Sequence, residues 1–263
     1  MNEIAVAVAI LGVTGLIAGI LLSVISEICK TNETNERLQK IRDCLPGANC
    51  GACGFAGCDS YAEAVDNNSA DPDLCAPGGI STATELSSIL GIKITPKEQT
   101  AKVFCNGCDE NTGKKYIYIG PLSCKAAAAL YNGPATCNYG CIGFGDCKNV
   151  CEYGAIAINK GLANVNQTKC IGCGKCIKAC PKQIIKLVQK PKKSAFVLCS
   201  NTQKGADAKK ACRTSCIGCG ICKKRCKFDA ISVNNFLASV NTEKCTDCGE
   251  CVAACPQEII KIL

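Results

Sequence analysis

The chain has 263 residues, a formal net charge of +8, 27 Cys and no His. The lack of His excludes the commonest general base, mixed Cys/His zinc fingers and any metal site built on imidazole. Six Tyr, six Phe and no Trp leave too little bulk for one large core, so small domains, each with an internal staple, are expected.

The first predicted element is apolar. Ile4 to Ser26 contains no charge over 23 positions, enough for one transmembrane helix. Gly15 and Gly19 form a small-xxx-small pair suited to close helix packing. A cleaved signal peptide is opposed by the Met1-Asn2-Glu3 start, which lacks Lys and Arg, and by the length of the apolar stretch. Lys30, Arg37, Lys40 and Arg42 follow the span. The positive-inside rule then predicts a single-pass anchor over residues 1–28 in the cell membrane, with the N-terminus outside and the rest in the cytoplasm. A reducing cytoplasm favours metal ligation over disulfides for the thiols.

Residues 29–43 read as a polar connector, helical in part. Residues 44–96 form the next domain. Leu45-Pro-Gly-Ala-Asn-Cys-Gly-Ala-Cys-Gly-Phe-Ala-Gly-Cys58 contains Cys50-x2-Cys53-x4-Cys58, and Cys75 follows. Four Cys among dense Gly suit one [4Fe–4S] cubane. Tyr61 to Val65 reads as a short helix and Ser81 to Thr84 as a loop. Cys29 and Cys44 are left as buried or membrane-edge thiols.

From about Cys124 onward the sequence repeats at an offset of 75 residues. Cys137, Cys141, Cys147 and Cys151 map to Cys212, Cys216, Cys222 and Cys226; Cys170, Cys173, Cys176 and Cys180 map to Cys245, Cys248, Cys251 and Cys255. Cys124 maps to Cys199, and Pro181 to Pro256. Two copies of one domain are implied, over residues 97–190 and 191–263. Lys190-Pro191-Lys192-Lys193 punctuates them as a solvated linker, and β-type stretches occur at Ile156 to Ile158 and Ala230 to Val233.

Cys170-x2-Cys173-x2-Cys176-x3-Cys180-Pro181 has the spacing of bacterial ferredoxins, in which three thiolates hold one cubane and the fourth reaches its neighbour. Cys245 to Pro256 repeats it, and Cys216, Cys219, Cys222 and Cys226 form a third run. Crossed pairing assigns Cys216, Cys219, Cys222 and Cys255 to one cluster, and Cys226, Cys245, Cys248 and Cys251 to its partner. In the first copy Cys151, Cys170, Cys173 and Cys176 make an ordinary site. Its partner has Cys141, Cys147 and Cys180, but Phe144 stands where the second copy has Cys219. Cys137 is the expected replacement, with a three-iron cluster as the alternative. Cys105, Cys108, Cys124, Cys199 and Cys212 remain. A sixth cluster bridging the copies is expected on Cys124, Cys199, Cys212 and one of Cys105 or Cys108, with Cys105 preferred. Six clusters contributing about −2 each would turn the formal +8 into about −4, so no nucleic-acid partner is inferred.

The run LPGANCGACGFAGC after an apolar helix, followed by ferredoxin repeats, closely resembles the B component of the Rnf complex, its iron–sulfur subunit. With CNYGCIGFGDC and the second ferredoxin copy, it is similar to the long form of anaerobic Firmicutes. The resemblance implies the iron–sulfur subunit of a membrane ferredoxin:NAD⁺ oxidoreductase that pumps Na⁺ or H⁺. Such a subunit would carry electrons from reduced ferredoxin toward flavin-bearing membrane partners while another subunit handles NAD. The sequence agrees, having no strand–GxGxxG–helix unit for a dinucleotide. A polyferredoxin subunit of another membrane oxidoreductase, such as a hydrogenase, is the second reading; a zinc-rich nucleic-acid binder is the third. The expected class is therefore α+β: a membrane helix, a four-Cys iron–sulfur domain and two tandem ferredoxin-like domains. Lys209, Lys210, Arg213, Lys223, Lys224, Arg225 and Lys227 are the densest basic group, while residues 44–96 carry six acids against Lys93. Ferredoxin is expected to dock at the basic group, and electrons to leave through the Cys50–Cys75 site.

Overall fold

A computed structural model describes residues 12–24, 33–94, 98–190 and 193–262. The chain divides into two compact units, Met1–Pro96 and Lys97–Leu263.

In the first unit, residues 12–24 form helix α1, whose side chains are exposed throughout. The rest of the expected span, 4–11 and 25–26, lies outside the described residues, as does Cys29. Among the described residues no helix is long and apolar enough to cross a membrane. The polar stretch that reads as a connector is helix α2, Glu33–Asp43. It is part of the unit's fold, because Ile41 is fully buried and packs with Leu45, Tyr61, Val65 and Leu86. Helix α3, Cys58–Asp66, contains the predicted Tyr61 to Val65 helix. Helix α4, Gly79–Leu90, takes in Ser81 to Thr84, where the sequence predicts a loop. Two anchors explain the helix. Thr82 is buried and donates to the Cys44 carbonyl (3.1 Å), and Gly91 ends α4 in the left-handed region at φ 69°. Tyr61 donates to the Asp71 carbonyl (2.8 Å) and accepts from the Leu74 N–H (3.3 Å), which fixes the chain leading to Cys75.

The second unit contains the repeat. In the first copy β1 (Gln99–Val103) pairs antiparallel with β4 (Ile185–Gln189), and β2 (Ile156–Asn159) with β3 (Leu162–Val165). Helices α5 (Cys124–Ala129), α6 (Asp146–Asn149) and α7 (Lys175–Ala179) accompany them. The second copy pairs β5 (Ala195–Val197) with β8 (Ile260–Ile262) and β6 (Ile231–Asn234) with β7 (Leu237–Val240), and adds α8 (Gly205–Ala211), α9 (Ile221–Arg225) and α10 (Glu250–Ala253). Of the linker, residues 191–192 lie outside the described residues.

Each copy's core is a thin layer of Ile, Val and Ala interleaved with cysteines. The first buries Ala101, Val103, Ile156, Ile184 and Ile185 beside Cys147 and Cys176; the second buries Val197, Ile231, Ile259 and Ile260 beside Cys216, Cys222 and Cys251. The copies are joined by the Phe104 and Phe196 rings, edge to face at 6.1 Å, each with a lysine ammonium over it: Lys102 on Phe196 and Lys186 on Phe104. Polar bonds cross the same seam, from Ser200 to the Phe104 carbonyl (2.8 Å), Thr136 to the Ala211 carbonyl (2.7 Å) and Arg213 N–H to the Asn111 carbonyl (2.8 Å).

Candidate metal centres

In the first unit Cys58 opens α3, and its N–H donates to the Asn49 side chain at 2.8 Å. Cys50, Cys53 and Cys58 surround the buried Cys75. Burial raises the Cys75 thiol pKa, and the three neighbouring sulfurs add to the rise. The four expected residues of this domain are therefore brought together.

In the second unit the short helices begin where the cysteine runs turn. Gly174 and Gly249 sit in the left-handed region (φ 73° and 78°) and start α7 and α10, which carry Cys176 and Cys251. A Cβ at such a position is strained, which is why the second gap of each Cys-x2-Cys-x2-Cys run opens on Gly. Cys170, Cys173 and Cys151 gather about Cys176 and, after burial, raise its thiol to about 11. Cys226, Cys245, Cys248 and Cys251 line one cavity, and Cys216, Cys219, Cys222 and Cys255 another. Burial, then Cys216, Cys219 and Cys255, raise Cys222 to about 11. The crossed sets read from spacing are thus the sets that meet in space.

The variant site differs from expectation. Cys124, not Cys137, lines the cavity with Cys141, Cys147 and Cys180. Burial and then the charges of Cys141, Cys124 and Cys180 raise Cys147 to about 12. Cys137 instead lines a cavity at the seam with Cys105, Cys199 and Cys212, and Cys141 lines both cavities. Cys124 and Cys137 have exchanged the places predicted for them. The cause is an insertion. Cys105 and Cys141 are 36 positions apart, and their structural counterparts Cys199 and Cys216 only 17. Cys105 and Cys199 each follow the strand that pairs with the copy's last one, β1 and β5 respectively. Each also accepts two backbone N–H bonds: Cys105 from Gly107 (3.3 Å) and Cys141 (3.4 Å), Cys199 from Asn201 (3.5 Å) and Cys216 (3.4 Å). The seam site is therefore built twice from one pattern, with Cys105 and Cys137 from the first copy and Cys199 and Cys212 from the second. Cys124 belongs to the 19 extra residues, whose helix α5 delivers it to the place Phe144 leaves without a thiol. Phe144 itself packs on Tyr118 of the insertion, with ring centroids 5.4 Å apart.

Asp146 fixes Cys124. Its carboxylate accepts from Ser123 Oγ (2.9 Å), Cys124 N–H (3.0 Å) and Lys125 N–H (3.0 Å). Burial opposes ionisation, but these donors outweigh it and hold the acid below the usual carboxylate range. Nothing in the spacing singles Asp146 out, so the sequence does not disclose this contact. Cys108 and Cys44 line none of the cavities described above. Burial, then Glu85, raises the Cys44 thiol.

All 26 described cysteines are free thiols, and among the described residues no three Cys, Asp or Glu side chains are disposed around a single metal ion. A cubane takes one thiolate per iron, so its ligands stand apart. The donor chemistry fits such a group: at least four sulfurs on each cavity, and backbone N–H groups on sulfur, including Ala101 on Cys170, Ala155 on Cys151 and Ala230 on Cys226. Burial raises Cys105 to about 12 and Cys199 to about 11. These thiols are protonated at neutral pH, and ligation expels their protons, so acid opposes metal uptake. In competition with an iron chelator, the seam site should retain iron better at about pH 8.5 than at about pH 6.5. Equal retention at both values would contradict this.

Three family models match the chain: the Fe-S cluster model FeS over residues 45–77, the 4Fe-4S binding domain over 163–186 and the 4Fe-4S dicluster domain over 215–260. The chain is 43% identical over 99% of its length, and 78% of the relative's, to the B component of the Na(+)-translocating ferredoxin:NAD(+) oxidoreductase complex of Acetobacterium woodii. It is 39% identical to the B component of the proton-translocating ferredoxin:NAD(+) oxidoreductase complex of Clostridium ljungdahlii, over 100% of the chain and 94% of the relative. It is 38% identical to the B component of the ion-translocating oxidoreductase complex of Methanosarcina acetivorans, over 97% of each.

Proposed function

Because the chain belongs to the family of B components of ion-translocating ferredoxin:NAD(+) oxidoreductases, the iron–sulfur subunits of Rnf complexes, we propose that it is a membrane-anchored relay. It takes electrons from reduced ferredoxin and passes them to flavin-bearing membrane subunits of the complex. The anchor is the apolar segment 4–26, with the N-terminus outside and both cluster-bearing units in the cytoplasm. Each four-thiol set holds one [4Fe–4S] cluster: one in the first unit, four in the two ferredoxin copies and a sixth at the seam on Cys105, Cys137, Cys199 and Cys212. When bound, such a cluster accepts and returns an electron with little rearrangement.

One observation carries the relay reading. Cys141, a ligand of the variant site, donates its N–H to Cys105 Sγ of the seam site. Cys216, a ligand of the second copy's inner site, donates its N–H to Cys199 Sγ of the same seam site. Two hydrogen bonds thus link three sites across the seam, and the outer site of each copy extends the line to five. The protein's part is to hold the sulfurs, supply N–H donors to them and keep water out. No acid–base pair is required, because no bond is made to a substrate.

Iron and acid-labile sulfide analysis after anaerobic purification tests the reading: about 24 irons per chain are expected, and stoichiometric zinc would refute it. Cys137→Ala and Cys212→Ala should each remove the same seam cluster, about four irons, with one shared change in the spectrum of the reduced protein. Cys124→Ala should remove a different cluster. Identical spectra for Cys137→Ala and Cys124→Ala would overturn the assignment.

A further inference from the structure

The variant site differs from its sister by more than a missing thiol. At the position of Asp146 the second copy has Ile221, and at that of Lys182 it has Gln257. Both charged residues line the cavity of Cys124, Cys141, Cys147 and Cys180, and both grip the insertion. Asp146 holds the start of α5 at Ser123, Cys124 and Lys125. Lys182 holds the chain beyond α5, donating from Nζ to the carbonyls of Asn132 (2.6 Å) and, past Cys137, of Asn138 (2.8 Å). The sister site needs neither, because Cys219 arrives within its own run.

The insertion has little regular structure of its own. Its regular structure is the six-residue α5 and one isolated bridge, Lys114 to Ala135, and a helix that short is marginal without tertiary contacts. Its aliphatic side chains Ile117 and Ile119 are 87% and 92% exposed, so apolar burial of those residues does not dock it. Tyr118 on Phe144, Tyr116 on the Leu130 carbonyl and Lys115 on Tyr131 and Asn138 add to its contacts, as do the fully buried Ala127 and the backbone bonds of Lys115 N–H to Pro134 and Thr136 N–H to Gly113.

We propose that Asp146 and Lys182 are a pair of positioning residues that fix the chain on either side of α5, so that Cys124 becomes the fourth ligand in place of the thiol lost at Phe144. The inference rests on the reading that Cys124, Cys141, Cys147 and Cys180 hold a cluster. It assigns the two charges to ligand placement and to no other site.

The test uses the full chain, reconstituted anaerobically, with iron, sulfide and the electron paramagnetic resonance of the reduced protein as readouts. Cys124→Ala and Asp146→Ala should each lose about four irons and the same spectral component. Asp146→Ala combined with Lys182→Met should lose no more than that. Adding Phe144→Cys supplies the ligand from within the run, as in the sister copy, and should restore iron to every one of these variants. A general structural role for Asp146 would not be repaired by a new thiol at position 144. Full iron in Asp146→Ala overturns the proposal. So does restoration of Cys124→Ala but not of Asp146→Ala, or restoration of neither, or a loss in Asp146→Ala much beyond four irons. Full iron in Cys124→Ala instead refutes the ligand reading beneath it.

Discussion

Anaerobic removal of iron should unfold residues 97–263, seen as loss of protease resistance and of secondary structure over both copies together. The elements of this unit cannot stand alone. Its strands are three to five residues long and pair only two by two, and its helices have four to seven residues. Isolated hairpins and helices of such length are marginal in water. What unites them is a core in which cysteines alternate with Ile, Val and Ala, and the cavities within each copy are walled by those same residues. Ile184 and Ile185 wall the variant site, and Ile259 and Ile260 the equivalent one. Stripped of iron, those walls would lose the group they pack around. Structural zinc in small peptides contributes about 10–16 kcal/mol of folding free energy per site, a scale comparable to the about 5–15 kcal/mol of net stability of a whole domain. Loss of several sites in one unit therefore exceeds anything the thin core can offset. The seam adds cooperativity, because its four thiols come equally from the two copies. An apo form that keeps native protease resistance over 97–263 would show that the polypeptide alone specifies the fold.

The sequence pattern carries most of this arrangement, since cubane ligation imposes a spacing that survives any loop change. The crossed sets of Cys216 with Cys255 and of Cys226 with Cys245 follow from the run lengths alone. The variant copy misleads for a definite physical reason. The 75-residue offset is real from Cys137 onward, but upstream it crosses an insertion, where Cys124 and Cys199 coincide by accident. The usable signal lies elsewhere: Ala101-Lys-Val-Phe-Cys105 and Ala195-Phe-Val-Leu-Cys199 are the same strand followed by the same cysteine, 94 positions apart. A strand aligned on its own period pairs Cys105 with Cys199 and leaves Cys124 free. The helix over Ser81 to Thr84 is hidden because its stability comes from a tertiary bond, Thr82 to the Cys44 carbonyl, which propensity does not encode. The connector's role in its unit depends likewise on Leu38 and Ile41, two apolar residues in a polar stretch.

Reversing Lys223, Lys224 and Arg225 to Glu should slow reduction by ferredoxin about 10- to 100-fold at low salt, the scale of electrostatic steering. The three residues form the last turn of α9 and are exposed, as are Lys209 and Lys210 on α8, with Arg213 and Lys227 nearby. They border the Cys216, Cys219, Cys222 and Cys255 site, where Cys219 is itself exposed and the neighbouring Ile221 offers apolar surface. An exposed ligand thiol amid cations gives an acidic carrier both a short route for the electron and a field that orients it. Residues 97–263 have 25 Lys and Arg against 11 Asp and Glu, a surplus that five clusters at about −2 each reduce to about +4. The field is thus local, concentrated where the lysines cluster, and the substitution changes it by six charges. Small ferredoxins are typically acidic, so the proposed encounter would be attractive in the native protein and repulsive in the variant. Salt discriminates this from damage to the site. At about 0.1 M salt the screening length is about 10 Å and at about 1 M about 3 Å, so the two proteins should converge as salt rises. Iron content and reduction by dithionite should stay unchanged, because the three side chains hold no ligand. An unaltered rate at low salt would move the docking surface away from α9, and a deficit that persists at high salt would mean that the lysines act on the site rather than on the encounter.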